Sequence, residues 1–207
     1  MPNKIIFTQE IIRKICNAYR SGQSAQSVAS ANNLTLKVVY STLKREGVER
    51  RKPSVYNRQR FDQMPKSYSL KKKLSSLEQK LLIAGLMLYY GEGAKTGNTV
   101  DFANSDPKLL KAFISFLRII YNIDEKKLRF YLYCFSDQDT AQLIGFWSKH
   151  LCVSKKQFTK PYVRPAIKSG KRKMTYGLLH IRYSDKRLLS EVLKKGENLL
   201  YSLYNLK

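Results

Sequence analysis

The chain has 207 residues, of which 39 are Lys or Arg and 15 are Asp or Glu, so its formal net charge is +24. A charge this large opposes compaction and predicts a polyanionic partner. Nucleic acid is favoured over an anionic membrane, because the basic residues are spread along the chain instead of lying on one amphipathic helix. The hydrophobic fraction of 43% is enough for a packed core, which excludes a disordered tail.

The sequence lacks both a hydrophobic targeting segment and a paired cysteine pattern, which argues against membrane-spanning, secreted and disulfide-rich proteins. No apolar run reaches the roughly 18 residues that a membrane span needs, and the apolar stretch at 5–7 is too short for a secretory signal. Cys16, Cys134 and Cys152 are odd in number and far apart, which argues against a disulfide scaffold and a cysteine zinc site. We expect an intracellular protein of the cytoplasm or nucleoid, without a membrane partner or a small-molecule cofactor.

Residues 1–48 are predicted to form a three-helix, helix-turn-helix DNA-binding domain. Thr8, Ser24 and Thr35 are suitable N-caps for three helices, and Gly47 ends the third. Two short helices joined by a tight turn after a longer helix are typical of this motif. The segment resembles the DNA-binding segment of the resolvase and invertase family.

The third helix of such a motif enters the major groove of DNA. Lys, Arg, Ser and Thr side chains can contact base edges or phosphates there. The predicted outward residues are Lys37, Val38, Ser41, Thr42, Lys44 and Arg45. The alternative is a small helical bundle with a solvated basic face.

Residues 49–76 are predicted to be a basic linker. Pro53 and Pro65 discourage helix in this segment. An extended basic arm can follow phosphates or enter the minor groove, and the alternative is a flexible, solvated tether. The candidate DNA-binding residues of the arm are Arg50, Arg51, Arg58 and Arg60.

Residues 77–207 are predicted to form a second domain, with antiparallel strands and helices on one face. The predicted elements are a helix at 82–90, a short strand after Gly93, a strand at 99–103, a helix from Asp106, a strand at 128–135, a helix at 139–151, a strand at 175–183 and a helix at 188–200. The predicted fold class of the whole chain is therefore α+β.

The helix at 82–90 runs directly into the Gly-acid-Gly step at 91–93. Ala84 and Gly85 are small enough for another backbone to approach closely. Glu92 stands at the helix C-terminus, where the helix dipole disfavours negative charge. A metal ion or a positively charged ligand would account for this acid, and the alternative is a solvated Glu after a buried helix.

This segment resembles the signature helix of the LAGLIDADG homing endonuclease family. Glu92 matches the acid that binds a divalent metal at the DNA backbone in that family, and Gly91 and Gly93 flank it. The sequence departs from the pattern at Tyr90, where the family has its first acid, and at Met87, where it has a glycine. The resemblance covers about 77–200 and implies a LAGLIDADG-like mixed α/β domain with an antiparallel sheet.

The resemblance also implies the chemistry and the assembly of the site. Mg²⁺, or another divalent metal such as Mn²⁺, would activate water and stabilise the leaving oxygen of a phosphodiester. Glu92 with Gly91 would bind the metal, and Lys95 lies close enough in sequence to assist at the phosphate. Since one chain carries one such helix, a homodimer and a roughly palindromic target follow. The predicted dimer seam consists of Ala84, Gly85 and Leu88.

The predicted sheet supplies further candidates for DNA contact. Alternation places Arg129, Tyr131 and Tyr133 on one face of their strand, and His180 shares a face with Arg182 on the last strand. A basic and aromatic face can saddle DNA, although exposed strands of any basic protein look similar. Asp101 is expected on the same side. A basic loop adds Lys168, Lys171, Arg172 and Lys173.

The leading hypothesis is a site-specific, metal-dependent, double-stranded DNA endonuclease of homing type that acts as a homodimer. The alternative is a transcription regulator that binds DNA through a LAGLIDADG-like domain without cutting it. A third interpretation, RNA binding or assistance to splicing, is compatible with the charge.

Overall fold

The structure is a computed structural model that describes residues 8–166 and 174–205. The chain divides into two compact units, Met1–Pro65 and Lys66–Lys207, so the boundary falls inside the segment predicted as a linker. Each unit has its own hydrophobic core. The elements assign the protein to the α+β class.

The first unit is built from helices. They are α1 (Gln9–Arg20), α2 (Ala25–Ala31), α3 (Leu36–Arg45) and α4 (Pro53–Gln63). The three predicted N-caps are confirmed, because the side chains of Thr8, Ser24 and Thr35 each accept a backbone N–H in the first turn of their helix. Ile15, Val28 and Val39, one from each of the first three helices, are fully buried at the centre of this unit.

The expectation that Pro53 discourages helix is wrong, since α4 begins at this residue. The first helical position is the one place where the missing N–H of proline costs nothing, and where its restricted φ favours the helical turn. Arg58 and Arg60 are therefore exposed residues of a helix and not of an extended arm.

The second unit alternates helices and strands. Its elements are α5 (Ser76–Glu92), β1 (Val100–Asn104), α6 (Pro107–Tyr121), β2 (Leu128–Phe135), α7 (Thr140–Leu151), β3 (Tyr162–Arg164), β4 (Leu178–Tyr183) and α8 (Lys186–Tyr204). A capping box between Ser75 and Glu78 starts α5 earlier than predicted. The strand expected after Gly93 is reduced to a single bridge from Gly93 to Phe102.

The strands form one sheet in the order β1-β4-β2-β3. β4 pairs antiparallel with β1 and with β2, whereas β3 pairs parallel with β2. The predicted antiparallel sheet is therefore wrong for β3. The reason is α7, because a helix between two strands carries the chain back along the sheet and lets the second strand run parallel to the first.

The two faces of the sheet differ sharply in burial. Phe102, Phe130, Leu132, Leu179 and Ile181 are fully buried and share one core with side chains from α5, α6, α7 and α8. Successive side chains of a strand point to opposite faces, so the residues between them lie on the other face. That face is half-exposed along β2 and β4.

Hydrogen bonds fix the start of the second unit to its core. Ser67 Oγ donates to Asp185 Oδ2 at 2.7 Å, and Tyr68 OH donates to Glu191 Oε2 at 2.7 Å. Tyr183 OH lies 2.8 Å from Ser67 Oγ. Residues 66–69, which belong to the predicted linker, are thus an integral part of this unit.

We expect Asp185→Ala to lower the free energy of unfolding of the second unit by about 2 kcal/mol, because Asp185 also caps α8. Burial raises the pKa of this carboxyl, but hydrogen bonds from Ser67 and from the amides of Arg187 and Leu188 outweigh burial and lower it. Since the folded pKa lies below the unfolded one, the stabilisation is present at neutral pH and is lost as the pH falls below about 4.

Urea unfolding, followed by the fluorescence of the single tryptophan, Trp147, measures this difference because Trp147 is fully buried in the second unit. The difference between wild type and variant should shrink as the pH is lowered from 6 to 3. An undiminished difference at pH 3 would contradict the assigned role of the carboxylate.

Candidate nucleic-acid interface

The exposed side of α3 carries most of the residues predicted to enter a DNA groove. Lys37, Ser41, Lys44 and Arg45 are exposed. Thr42 is only 4% exposed, so its predicted DNA contact is wrong. It lies three residues after Val39 and therefore falls on the core side of the helix.

Two arginines that follow α3 are held against tyrosines of the first unit. The guanidinium of Arg50 lies 4.2 Å from the ring centroid of Tyr40, and that of Arg51 lies 4.2 Å from the ring centroid of Tyr19. The backbone N–H of Arg51 donates to Tyr19 OH at 3.0 Å. This part of the predicted linker is thus fixed beside α3, a role of the tyrosines that the sequence analysis missed.

The half-exposed face of the sheet gathers aromatic and charged side chains. We call it the open sheet face and define it by Asp101, Arg129, Tyr131, Tyr133, Tyr162, His180 and Arg182. The ring centroid of Tyr133 lies 5.0 Å from those of Tyr131 and Tyr162 and 5.3 Å from that of His180. The predicted shared face of Arg129, Tyr131 and Tyr133 is confirmed by their alternation with buried residues.

Asp101 links two basic side chains of the open sheet face. Its Oδ1 lies 2.8 Å from His180 Nδ1, and its Oδ2 accepts from Arg182 Nε at 2.8 Å. Burial raises the pKa of Asp101, but the hydrogen bond and charge of His180 and the charge of Arg182 outweigh burial and lower it. Because an ionised carboxylate only accepts, His180 Nδ1 is the donor.

The register of the sheet creates this cluster. Asp101 stands directly opposite Arg182 in the β1–β4 pair, and His180 is opposite Ala103. Asp101 and His180 are 79 residues apart in the chain. The alternation within each strand indicated the side on which these residues lie, but only the pairing of the strands brings them into contact.

Glu92 is the last residue of α5, and its side chain is exposed. Lys95 lies at the same end of the helix, where its Nζ donates to the carbonyls of Tyr89 at 3.1 Å and Gly93 at 2.6 Å. The ammonium group therefore neutralises the negative end of the helix dipole. This contact, three residues beyond Glu92, had no signal in the sequence analysis.

A divalent metal would need more ligands than this helix end offers. Among residues 8–166 and 174–205, no group of three or more His, Cys, Asp or Glu side chains could hold a metal ion. The Glu92 carboxylate is an oxygen ligand of the kind that Mg²⁺ accepts, but Mg²⁺ requires about six ligands, some of them water. One chain by itself thus fits the metal incompletely.

The predicted dimer seam requires one correction. Gly85 is buried within its own chain, and a Cβ atom placed on it would lie 2.1 Å from Phe116 Cγ. Its small size serves the packing of α5 on α6, so it is not available to a second copy. Ala84 is exposed and Leu88 is half-buried against the core.

The predicted basic loop residues Lys168, Lys171, Arg172 and Lys173 lie outside the described residues. In the described part of the chain, no helix has the length and apolar character to cross a membrane. Comparison with protein-family models, with curated proteins and with solved structures found no match.

Proposed function

We propose that this protein binds double-stranded DNA and that its second unit is a metal-dependent, site-specific endonuclease that acts as a homodimer. The observation that carries the proposal is the open sheet face, which combines tyrosine rings with Arg129 and Arg182 on the half-exposed side of the sheet. The exposed basic side of α3 supports a second contact, since a helix of this size enters the major groove.

The charge of the chain supports DNA as the partner. A net charge of +24 is relieved when phosphates replace condensed counterions. Arg50 and Arg51 add basic groups that are already ordered by Tyr40 and Tyr19, so little side-chain entropy is lost on binding. These groups suit the DNA backbone beside the groove that α3 would occupy.

The proposal for cleavage rests on the position of Glu92. Its carboxylate is exposed at the end of α5, and together with Gly91 it would hold Mg²⁺ or Mn²⁺. Such a metal, when bound, activates water and stabilises the leaving oxygen of a phosphodiester. Lys95 is the candidate for the adjacent phosphate.

A second copy of the chain would supply the missing ligands. On α5, Leu77 is 76% exposed and Ile83 is 50% exposed, and Ala84 is exposed seven residues after Leu77. Residues seven apart lie near one face of a helix. The shared face of Leu77 and Ala84 supports pairing of α5 with its counterpart, which would bring two copies of Glu92 together.

The alternative is a transcription regulator that binds DNA without cutting it. The incomplete set of metal ligands in the described part of one chain favours this function. It requires α3, Arg50 and Arg51 and the open sheet face, but not Glu92.

Incubation with a plasmid library of random sites, at low salt with Mg²⁺, separates these functions. Cuts at a defined sequence would support the endonuclease. Tight, salt-sensitive binding without cuts would support the regulator. A protein that neither binds nor cuts duplex DNA would contradict both.

We expect the affinity for duplex DNA to depend steeply on salt. If about six phosphates are contacted, the association constant should fall about 10³-fold between 50 and 200 mM salt. Lys44→Gln on α3 should reduce the slope of log K against log salt by about one unit. Fluorescence anisotropy measures this slope. Lys194→Gln, which removes an exposed lysine of α8, is the matched control and should leave it unchanged. A slope for Lys44→Gln equal to that of the control would show that Lys44 makes no phosphate contact.

A further inference from the structure

We propose that Asp101 is a positioning residue that holds Arg182 for contact with a guanine of the bound DNA. This inference rests on the proposed DNA binding and adds a sequence-specific role for one pair of residues. Among the seven residues that define the open sheet face, Asp101 is the one acid, and its presence on a proposed DNA-binding face needs an explanation. A carboxylate repels phosphate, so Asp101 itself is not a contact to the DNA backbone.

The two terminal nitrogens of the Arg182 guanidinium remain available for a contact to DNA. Arg182 uses its Nε–H on Asp101 Oδ2, at 2.8 Å. Within the described residues, no acceptor is found for its two terminal nitrogens, and its side chain is 41% exposed. These nitrogens form a planar fork of donors. Such a fork matches the O6 and N7 acceptors that guanine presents in the major groove.

Two further contacts restrict the orientation of the fork. The guanidinium carbon of Arg182 lies 5.0 Å from the ring centroid of Tyr131. His180 Nδ1 donates to the other carboxylate oxygen of Asp101, so the carboxylate cannot rotate freely. An arginine ordered before binding loses less side-chain entropy when it meets its base.

The ion pair of Asp101 with Arg182 also affects contacts to bases and contacts to phosphates differently. The charge of Arg182 is largely offset by Asp101, which weakens its general attraction for the DNA backbone. The directional donors of the fork remain. Contacts to base edges specify sequence, whereas contacts to phosphates set affinity without specifying it. The paired Arg182 therefore suits recognition of sequence more than general affinity.

The test is selection of binding sites from a randomised duplex library by wild type, Asp101→Asn and Arg182→Lys. Lysine keeps the charge but lacks the fork. Asparagine has no charge and only one oxygen in place of the two carboxylate oxygens that accept from His180 and Arg182. We expect wild type to prefer guanine at one position by about tenfold or more. Both variants should lose this preference at that position only, with an unchanged slope against salt for Arg182→Lys.

Asp101→Asn gives the sharpest result, because specificity should fall without a fall in affinity. Removal of a negative charge should leave the affinity for unrelated DNA equal or higher, while the guanine preference is lost. A role in charge alone would raise binding to all sequences and keep the preference. Glu197→Gln, which removes an exposed acid of α8, is the control and should keep the preference. Trp147 fluorescence verifies that each variant is folded.

Two failures are distinguishable. In the first, the wild-type protein binds DNA, but its selected sites are identical to those of both variants or show no base preference. That result would overturn this inference and leave the proposed DNA binding in place. Wild type without salt-sensitive DNA binding would overturn both.

Discussion

Glu92→Gln should abolish DNA cleavage and leave DNA affinity intact. A neutral amide is a poor substitute for a carboxylate at Mg²⁺. Mutation of residues that only hydrogen-bond to metal ligands typically lowers metal affinity or activity by about 10- to 100-fold. Loss of a ligand itself should therefore lower the cleavage rate roughly 100-fold or more. The fold should not suffer, since the carboxylate is exposed and none of the described residues forms an ion pair with it.

Cleavage of the library plasmid at low salt, measured beside filter binding of the same DNA, separates catalysis from affinity. Glu197→Gln is the matched control, because it removes one exposed carboxylate from α8 and should leave the rate unchanged. A variant at Glu92 that cuts at the wild-type rate would show that another residue holds the metal. A parallel loss of binding would make Glu92 a residue of the fold or the dimer.

Gly85→Ala should destabilise the second unit by about 2 kcal/mol or more. The added Cβ would lie 2.1 Å from Phe116 Cγ and 2.4 Å from Phe116 Cδ2, and the ring to which these atoms belong is fully buried. Neither α5 nor the ring can move without disturbing the shared core, and overpacking of this kind typically costs about 1–3 kcal/mol, occasionally more. This loss exceeds the gain of about 1 kcal/mol that alanine brings in helix propensity.

Urea unfolding followed by Trp147 fluorescence measures the effect. Gly91→Ala is a matched control on the same helix, because a Cβ there meets no atom within 4 Å, and its stability should equal or exceed that of wild type. In the Gly85→Ala background, Phe116→Leu should cost less than it does alone, since it relieves the clash. A Gly85→Ala protein as stable as wild type would contradict the close packing of α5 on α6.

The local elements could be predicted from the sequence because their signals are local. The caps Thr8, Ser24 and Thr35 need only the backbone of their own first turn. The predicted strand at 128–135 matches β2, because alternation along one strand sorts its side chains into two faces. The same alternation identified Arg129, Tyr131 and Tyr133 as neighbours on the open sheet face.

Tertiary packing decided what local signals do not contain. Gly85 is buried because α5 packs against Phe116 of α6, and the small size of a residue does not by itself reveal which element packs against it. Likewise, β3 runs parallel because of the path of α7. Asp101 and Arg182 are 81 residues apart and meet only through the register of β1 on β4. The sequence by itself thus determined the elements and their faces, whereas strand register and helix packing, which depend on distant residues, decided which side chains form the candidate site.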